Sequence, residues 1–233
     1  MSGHVGPWPA FVDLFAASTL ILLVFFLVMS FVFLKSRGNG VQIQQLKKEL
    51  EALAQRDHQS FQVLQEGTDV LIVMEEKVTF PQNQSSLDSL RIDAREALRN
   101  IGCLIFDKEA AITQTCPRVA SPTIAGRFES LIREVEVVGH ADRWKFRAGA
   151  GQTNWGLSAA RAVTVAQFLV DSVGLNPCII VPSGRGEFFP RDPRHQATSS
   201  RDTLNALDRR IELLLHPKVV GHADAGRPGC RAR

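Results

Sequence analysis

This chain has few cysteines, and they are not arranged for metal. Cys103, Cys116, Cys178 and Cys230 form no C-x-x-C pair, and the six histidines do not cluster, which argues against zinc. An excess of one charge sign is also missing. The 27 Lys and Arg are interspersed with 24 Asp and Glu, leaving a formal net charge of +3. That pattern lacks the basic footprint of a nucleic-acid binder, so no nucleic-acid partner is expected. No nucleophile is set with a base or a metal cluster, so the chain does not read as an enzyme, and no cofactor is implied.

The most informative absence is local. From Leu14 to Leu34 no residue carries a charge, and 21 residues at 1.5 Å each match a hydrocarbon core of about 30 Å. No Lys or Arg precedes this run, it is too long for a signal-peptide core, and "SFVFLKSRG" offers no A-x-A-like cleavage site. It therefore reads as an uncleaved transmembrane anchor over residues 10–34, after a short N-terminal segment, 1–9. A chain of this length leaves room for one medium domain beyond it.

Residues 35–67 read as a linker and stalk. Gly38 and Gly40 loosen the exit from the membrane. Ile43, Leu46, Leu50 and Leu53 then follow at spacings of three, four and three, the seam of a short coiled coil that Asp57 interrupts. Two arrangements fit this seam: a parallel dimer stalk, or an amphipathic helix lying on its own domain. From about Thr68 to His216 strand and helix patterns alternate. "DVLIVM" with "KVTF" predicts a hairpin-like start, and "SSLDSLRIDAREALRNIGCLIF" a helix with Ser85 or Ser86 near its N-cap. "IREVEVVGH" predicts a strand, and "NWGLSAARAVTVAQFLVDSVG" a helix closed by Gly174. "CIIVPSGRGE" and "RRIELLLH" supply further strands. The expected fold class is α/β: one N-terminal transmembrane helix, a short coiled-coil stalk and an α/β sandwich domain. Residues 217–233 lack a periodic run and read as a disordered tail. If the bulk of the chain lies outside the cytoplasm, Cys103 and Cys116 are the expected disulfide pair.

The run "VVGHAD" occurs twice, at 137–142 and 219–224. The first copy ends a strand and is followed by a helix that can complete a site, whereas the second lies in the tail, so Asp142 is the copy expected to work.

The segments "VTFPQNQSSL", "VEVVGHAD", "TNWGLSAARAVTV", "GRGEFFP" and "DRRIELLL" resemble, in order, the OmpA-like peptidoglycan-binding domain, over roughly Val70 to Leu215. The step of twelve residues from Asp142 to Asn154, and the membrane helix with an early acidic residue in "WPAFVDLFAAS", are similar to the MotB-type branch. The resemblance implies that Asp142 and Arg161 contact diaminopimelate in peptidoglycan, with Asn154 and Leu157 shaping the loop and helix start. The chemistry is consistent, since diaminopimelate carries an ammonium and a carboxylate on one carbon and needs a fixed anion and a fixed cation nearby. Taken alone, Asp142 reads as a turn residue, Arg161 as one half of a surface salt bridge and His140 as a structural histidine. Asp208 stands where the family often has Asn, and "RDPRHQATSSRD" diverges, so the resemblance assigns no ligand contact to Arg209 or Arg210.

Asp13 is the second chemical feature. A carboxylate inside a membrane helix is costly and asks for a reason, although a position just outside the hydrocarbon would be favoured by the helix dipole. Asp13, Ala16, Ala17 and Leu20 share one face, and the alanines permit close approach of another helix. By resemblance Asp13 carries a proton or sodium ion within a MotA-like ring, as part of a homodimeric, ion-driven motor unit anchored to the cell wall. Such a unit would serve a flagellum or, as in the B subunit of Zorya systems, phage defence. The alternative is a passive tether between inner membrane and peptidoglycan. The resemblance places the N-terminus in the cytoplasm and the domain in the periplasm. Lys35 and Arg37 would favour the reverse by the positive-inside rule, but long domains translocate largely regardless of charge.

Overall fold

A computed structural model describes residues 8–57, 60–106, 128–142, 153–191 and 207–218. Helix α1 covers Trp8–Arg56, 49 residues, or about 70 Å at 1.5 Å per residue. Its segment Phe11–Leu34 has a mean hydropathy of 2.7 with no buried residue, and is long and apolar enough to cross a membrane. The same helix runs on through Gly38 and Gly40, so the expected loosened exit is not present. A glycine costs only about 1 kcal/mol in a helix, and two of them do not break one flanked by long helical stretches.

The seam expected to form a coiled coil meets its own domain. Ile43, Leu46, Leu50 and Leu53 are buried in one cluster with Phe61, Ile105 and Phe128. Leu46 and Leu50 are completely covered. Of the two arrangements compatible with the spacing, the chain adopts the amphipathic helix lying on its domain. Asp57, which breaks the heptads, is buried too and accepts a hydrogen bond of 3.1 Å from Asn100 Nδ2. It thereby ties the end of α1 to α3 (Ile92–Phe106).

Among the described residues five strands form one sheet: β1 (Gln62–Glu66), β2 (Asp69–Glu75), β3 (Ile132–Gly139), β4 (Ile180–Gly184) and β5 (Arg210–Pro217). Their order is β1-β2-β5-β3-β4. The sheet begins at Gln62, within the stretch read as stalk. The opening hairpin is β1 with β2, joined at Gly67, whose φ of +62° suits the first central position of a tight hairpin turn. "KVTF" is not its second strand; Glu76–Thr79 form a single helical turn, α2. Four residues of alternating character are too few to decide between strand and turn, and "QVLQE" lies nearer to β2 across the glycine. Ser86 precedes a short 3₁₀ turn at Leu87–Ser89 and makes no side-chain cap hydrogen bond, while the long helix starts at Ile92.

Helix α4 (Asn154–Val173) matches its expected limits. Thr153 Oγ1 accepts a hydrogen bond from Gly156 N at its start, and Gly174 closes it at φ +79°. It packs against β3 and β4, which pair in parallel, and against α3. The approach is close because Gly139 and Gly184 are register partners at the sheet's end. A Cβ on Gly139 would lie 2.0 Å from Ser158 O, and one on Gly184 2.6 Å from Ala159 N. Cys103 and Cys178 are both disulfide-bonded; Cys116, the expected partner of Cys103, lies outside the described residues, as does the second "VVGHAD" copy.

Candidate functional site

Strand β5 creates the site. β5 inserts between β2 and β3, antiparallel to both. The end of β2, the end of β3 and the start of β5 therefore meet at one end of the sheet. Glu76 N donates to Arg209 O at 2.8 Å, and His140 N donates to Arg210 O at 2.9 Å. Side chains just beyond the strand ends, Glu76, Asp142 and Arg209, are brought within reach of one another by this backbone pairing.

Asp142 is 8% exposed. Its backbone carbonyl accepts from Asn154 Nδ2 at 2.9 Å, which fastens the strand end to the first residue of α4. Its Oδ2 accepts from Arg209 Nη1 at 2.6 Å. Arg161, one to two turns further along α4, is only 2% exposed. Its Nη2 reaches Glu76 Oε1 at 2.5 Å and Pro81 O at 3.1 Å, while Nε donates to Gln84 O at 2.9 Å. The guanidinium also lies over the Phe80 ring, 5.5 Å from its centroid. Leu157 is buried beneath the start of α4.

Asp142 and Arg161 are thus joined through two further residues, in the order Asp142, Arg209, Glu76, Arg161. Arg209 Nε lies against Glu76 Oε2 as an ion pair, though not aligned for a hydrogen bond. The charges alternate along the chain of contacts. Burial alone would lower the affinity of Arg209 for its proton, but the Asp142 and Glu76 carboxylates outweigh it and raise the pKa. Glu76 had no signal of its own in the sequence, lying in a "MEEK" run that reads as ordinary surface charge. Arg209 lay in a stretch from which the resemblance transferred no contact. Beside the pair a cavity of about 140 Å³ opens, lined by Glu76, Phe80, Pro81, Arg91 and Arg209 among others.

The burial of Arg161 changes what its removal should do. Arg161→Ala leaves Glu76 with less compensation in a dry site, and breaking a buried pair from one side costs about 3–5 kcal/mol. Denaturant titration should show this loss, so the variant's ligand binding has to be judged beside its stability. Asp142→Asn keeps the shape of the side chain and should cost far less.

His140 takes the structural role its position suggested. It is 1% exposed, and its Nε2 lies 2.9 Å from Glu212 Oε2, which belongs to the same side-chain group as Arg210 Nε, 2.6 Å from Oε1. Burial is the main cause lowering the His140 pKa, opposed by the hydrogen bond to Glu212 and reinforced by Arg210 and Arg185. For Glu212 burial works upward, but the hydrogen bond and charge of His140, followed by the charge and hydrogen bond of Arg210, outweigh it and bring the carboxyl down to about 2. Both folded pKa values lie below the unfolded ones, so the unfolded chain binds more protons on acidification and stability rises with pH. Denaturant midpoints should fall as pH drops below the ordinary histidine value of about 6.5, and again below the carboxylate range of about 4.5. A His140→Gln variant should lose the first step.

Residues 118–205 match the OmpA family. No significant match is found among curated proteins. Among solved structures, a protein described as MotB-like from Desulfovibrio vulgaris is similar at 19% identity with a TM-score of 0.58, covering 78% of this chain and 99% of that one. The cell wall anchor of the type VI secretion system from Pseudomonas aeruginosa is similar at 20% identity with a TM-score of 0.51, covering 72% of this chain and 97% of that one. At these identities the likeness is one of fold.

Proposed function

On the premise that the chain carries an OmpA-family domain with the fold of a MotB-like protein, we propose that it is a membrane-anchored, peptidoglycan-binding protein, and within that class the B subunit of an ion-driven motor. The observation that carries the wall-binding part is the placement of an anion, Asp142, and a cation, Arg161, at one end of the sheet and in one charge network. Diaminopimelate presents the complementary pair. Helix α1 supplies the anchor, and the disulfides at Cys103 and Cys178 suit an oxidising compartment such as the periplasm. The N-terminus then faces the cytoplasm.

The motor reading rests on Asp13 within the apolar segment of α1. In it, Asp13 binds and releases a proton or sodium ion beside a MotA-like polytopic partner, and a charge crossing the membrane yields about 2.3 kcal/mol per 100 mV. A wall-held domain lets that energy become rotation of the partner ring. In this reading the face of Asp13, Ala16, Ala17 and Leu20 is the one that a neighbouring membrane helix approaches closely. Motility and phage defence are both outlets for such a motor. The passive tether is the second reading, favoured by the fold likeness to a secretion-system wall anchor.

Wall binding is tested by incubating the full chain, in detergent, with purified diaminopimelate-containing sacculi and measuring what sediments. Wild-type protein should sediment with sacculi and Asp142→Asn should stay in solution. Equal sedimentation of both would sink the site.

A further inference from the structure

The two residues that link Asp142 to Arg161 have the charges of the proposed ligand. Arg209 places a cation on Asp142, where the ligand's ammonium would lie, and Glu76 places a carboxylate on Arg161, where the ligand's carboxylate would lie. The two also contact each other. Their backbones are pinned by the hydrogen bond from Glu76 N to Arg209 O, so only the side chains can leave, and both line the adjacent cavity.

Resting on the wall-binding reading above, we propose that Glu76 and Arg209 are specificity-determining residues: an internal zwitterion that holds the site until a ligand bearing both an ammonium and a carboxylate replaces it. The reason is the cost of an uncompensated charge. When the pair moves aside as a unit, Glu76 and Arg209 still neutralise each other, while Asp142 and Arg161 are exposed together. A ligand carrying both charges satisfies both. An amine without the neighbouring carboxylate satisfies Asp142 alone and leaves Arg161, which is almost wholly buried, short of its anion. A site that penalises the wrong partner in this way gains selectivity from the penalty rather than from extra contacts.

Removing one half of the pair should undo that coupling in a defined direction. In Arg209→Gln, Asp142 has lost the Arg209 guanidinium while Glu76 still covers Arg161. A lone ammonium can then approach Asp142 without displacing that guanidinium, so the amine gains affinity. Arg209→Lys retains the cation and should keep most of the discrimination, which separates the charge from the mere presence of a long side chain.

The experiment is competition for sacculi bound to the full-length chain in detergent. The competitors are meso-diaminopimelate and Nα-acetyl-lysine amide, whose side chain has the ammonium without the carboxylate. Wild-type protein should prefer diaminopimelate by roughly a hundredfold, the scale set by leaving one buried charge unpaired. Arg209→Gln should shrink that ratio at least about tenfold, chiefly through tighter amine binding, and Arg209→Lys should restore it. Thermal unfolding of each variant is measured beside the competition, and Glu76→Gln, which keeps a hydrogen-bonding group on Arg161, should also reduce the ratio. If the wild type binds sacculi but Arg209→Gln leaves the ratio unchanged, or weakens both competitors equally, the internal zwitterion is wrong and wall binding stands. If the wild type ignores sacculi, both ideas fall.

Discussion

On the motor reading, Asp13→Asn should abolish activity in the host while leaving the protein at normal level, inserted in the membrane and bound to the wall. The amide keeps the size and polarity of the carboxylate but cannot change charge, so an ion carrier at this position is disabled outright. Asp13 sits two residues inside the apolar segment that starts at Phe11, where an ionised group costs up to about 3 kcal/mol on insertion scales. A chain that only tethers gains from removing that cost, and the Asn variant should then be indistinguishable from wild type. Asp13→Glu retains the carboxylate on a longer arm and should leave partial function. The assay is motility or phage resistance, as the host's system dictates, with immunoblots for abundance and co-purification of a polytopic partner. Full activity of Asp13→Asn at normal abundance would end the motor reading and leave the tether.

Gly139→Val should strongly destabilise the folded domain. Even the first carbon of a side chain would lie 2.0 Å from the carbonyl oxygen of Ser158, and a backbone atom inside a helix cannot rotate away. Relief requires α4 to lift from β3 and β4, which uncovers Val137, Ala162 and Val165 in the core. Overpacking typically costs about 1–3 kcal/mol, and at the upper end of that range a domain of this size loses roughly 10 °C in Tm. Lifting α4 also releases Asn154 from the Asp142 carbonyl, so wall binding should fail together with stability. Gly40→Ala is the control: no atom lies within 4 Å of its added carbon, and a helical glycine replaced by alanine should stabilise by up to about 1 kcal/mol. Thermal melts of the two variants in the same detergent compare them directly.

What the sequence by itself determined was whatever depends on neighbours along the chain. The charge-free run, the strand at Ile132–Gly139, the helix at Asn154–Val173 with its Gly174 stop, and the final strand follow from periods of two and 3.6 and from the left-handed preference of glycine. Asp142, Asn154, Leu157 and Arg161 are singled out by the resemblance of two separate segments, "VEVVGHAD" and "TNWGLSAARAVTV", to a known family. The tertiary structure decided what those residues touch. A heptad seam presents the same apolar stripe to a second helix and to its own domain, and only the fold shows Leu46 and Leu50 covered by the latter. Likewise Glu76 and Arg209 are 133 positions apart, and no local pattern couples them. They meet because β5 pairs between β2 and β3, and the long-range backbone hydrogen bonds of that insertion, rather than any preference of the two residues, set a carboxylate and a guanidinium between Arg161 and Asp142.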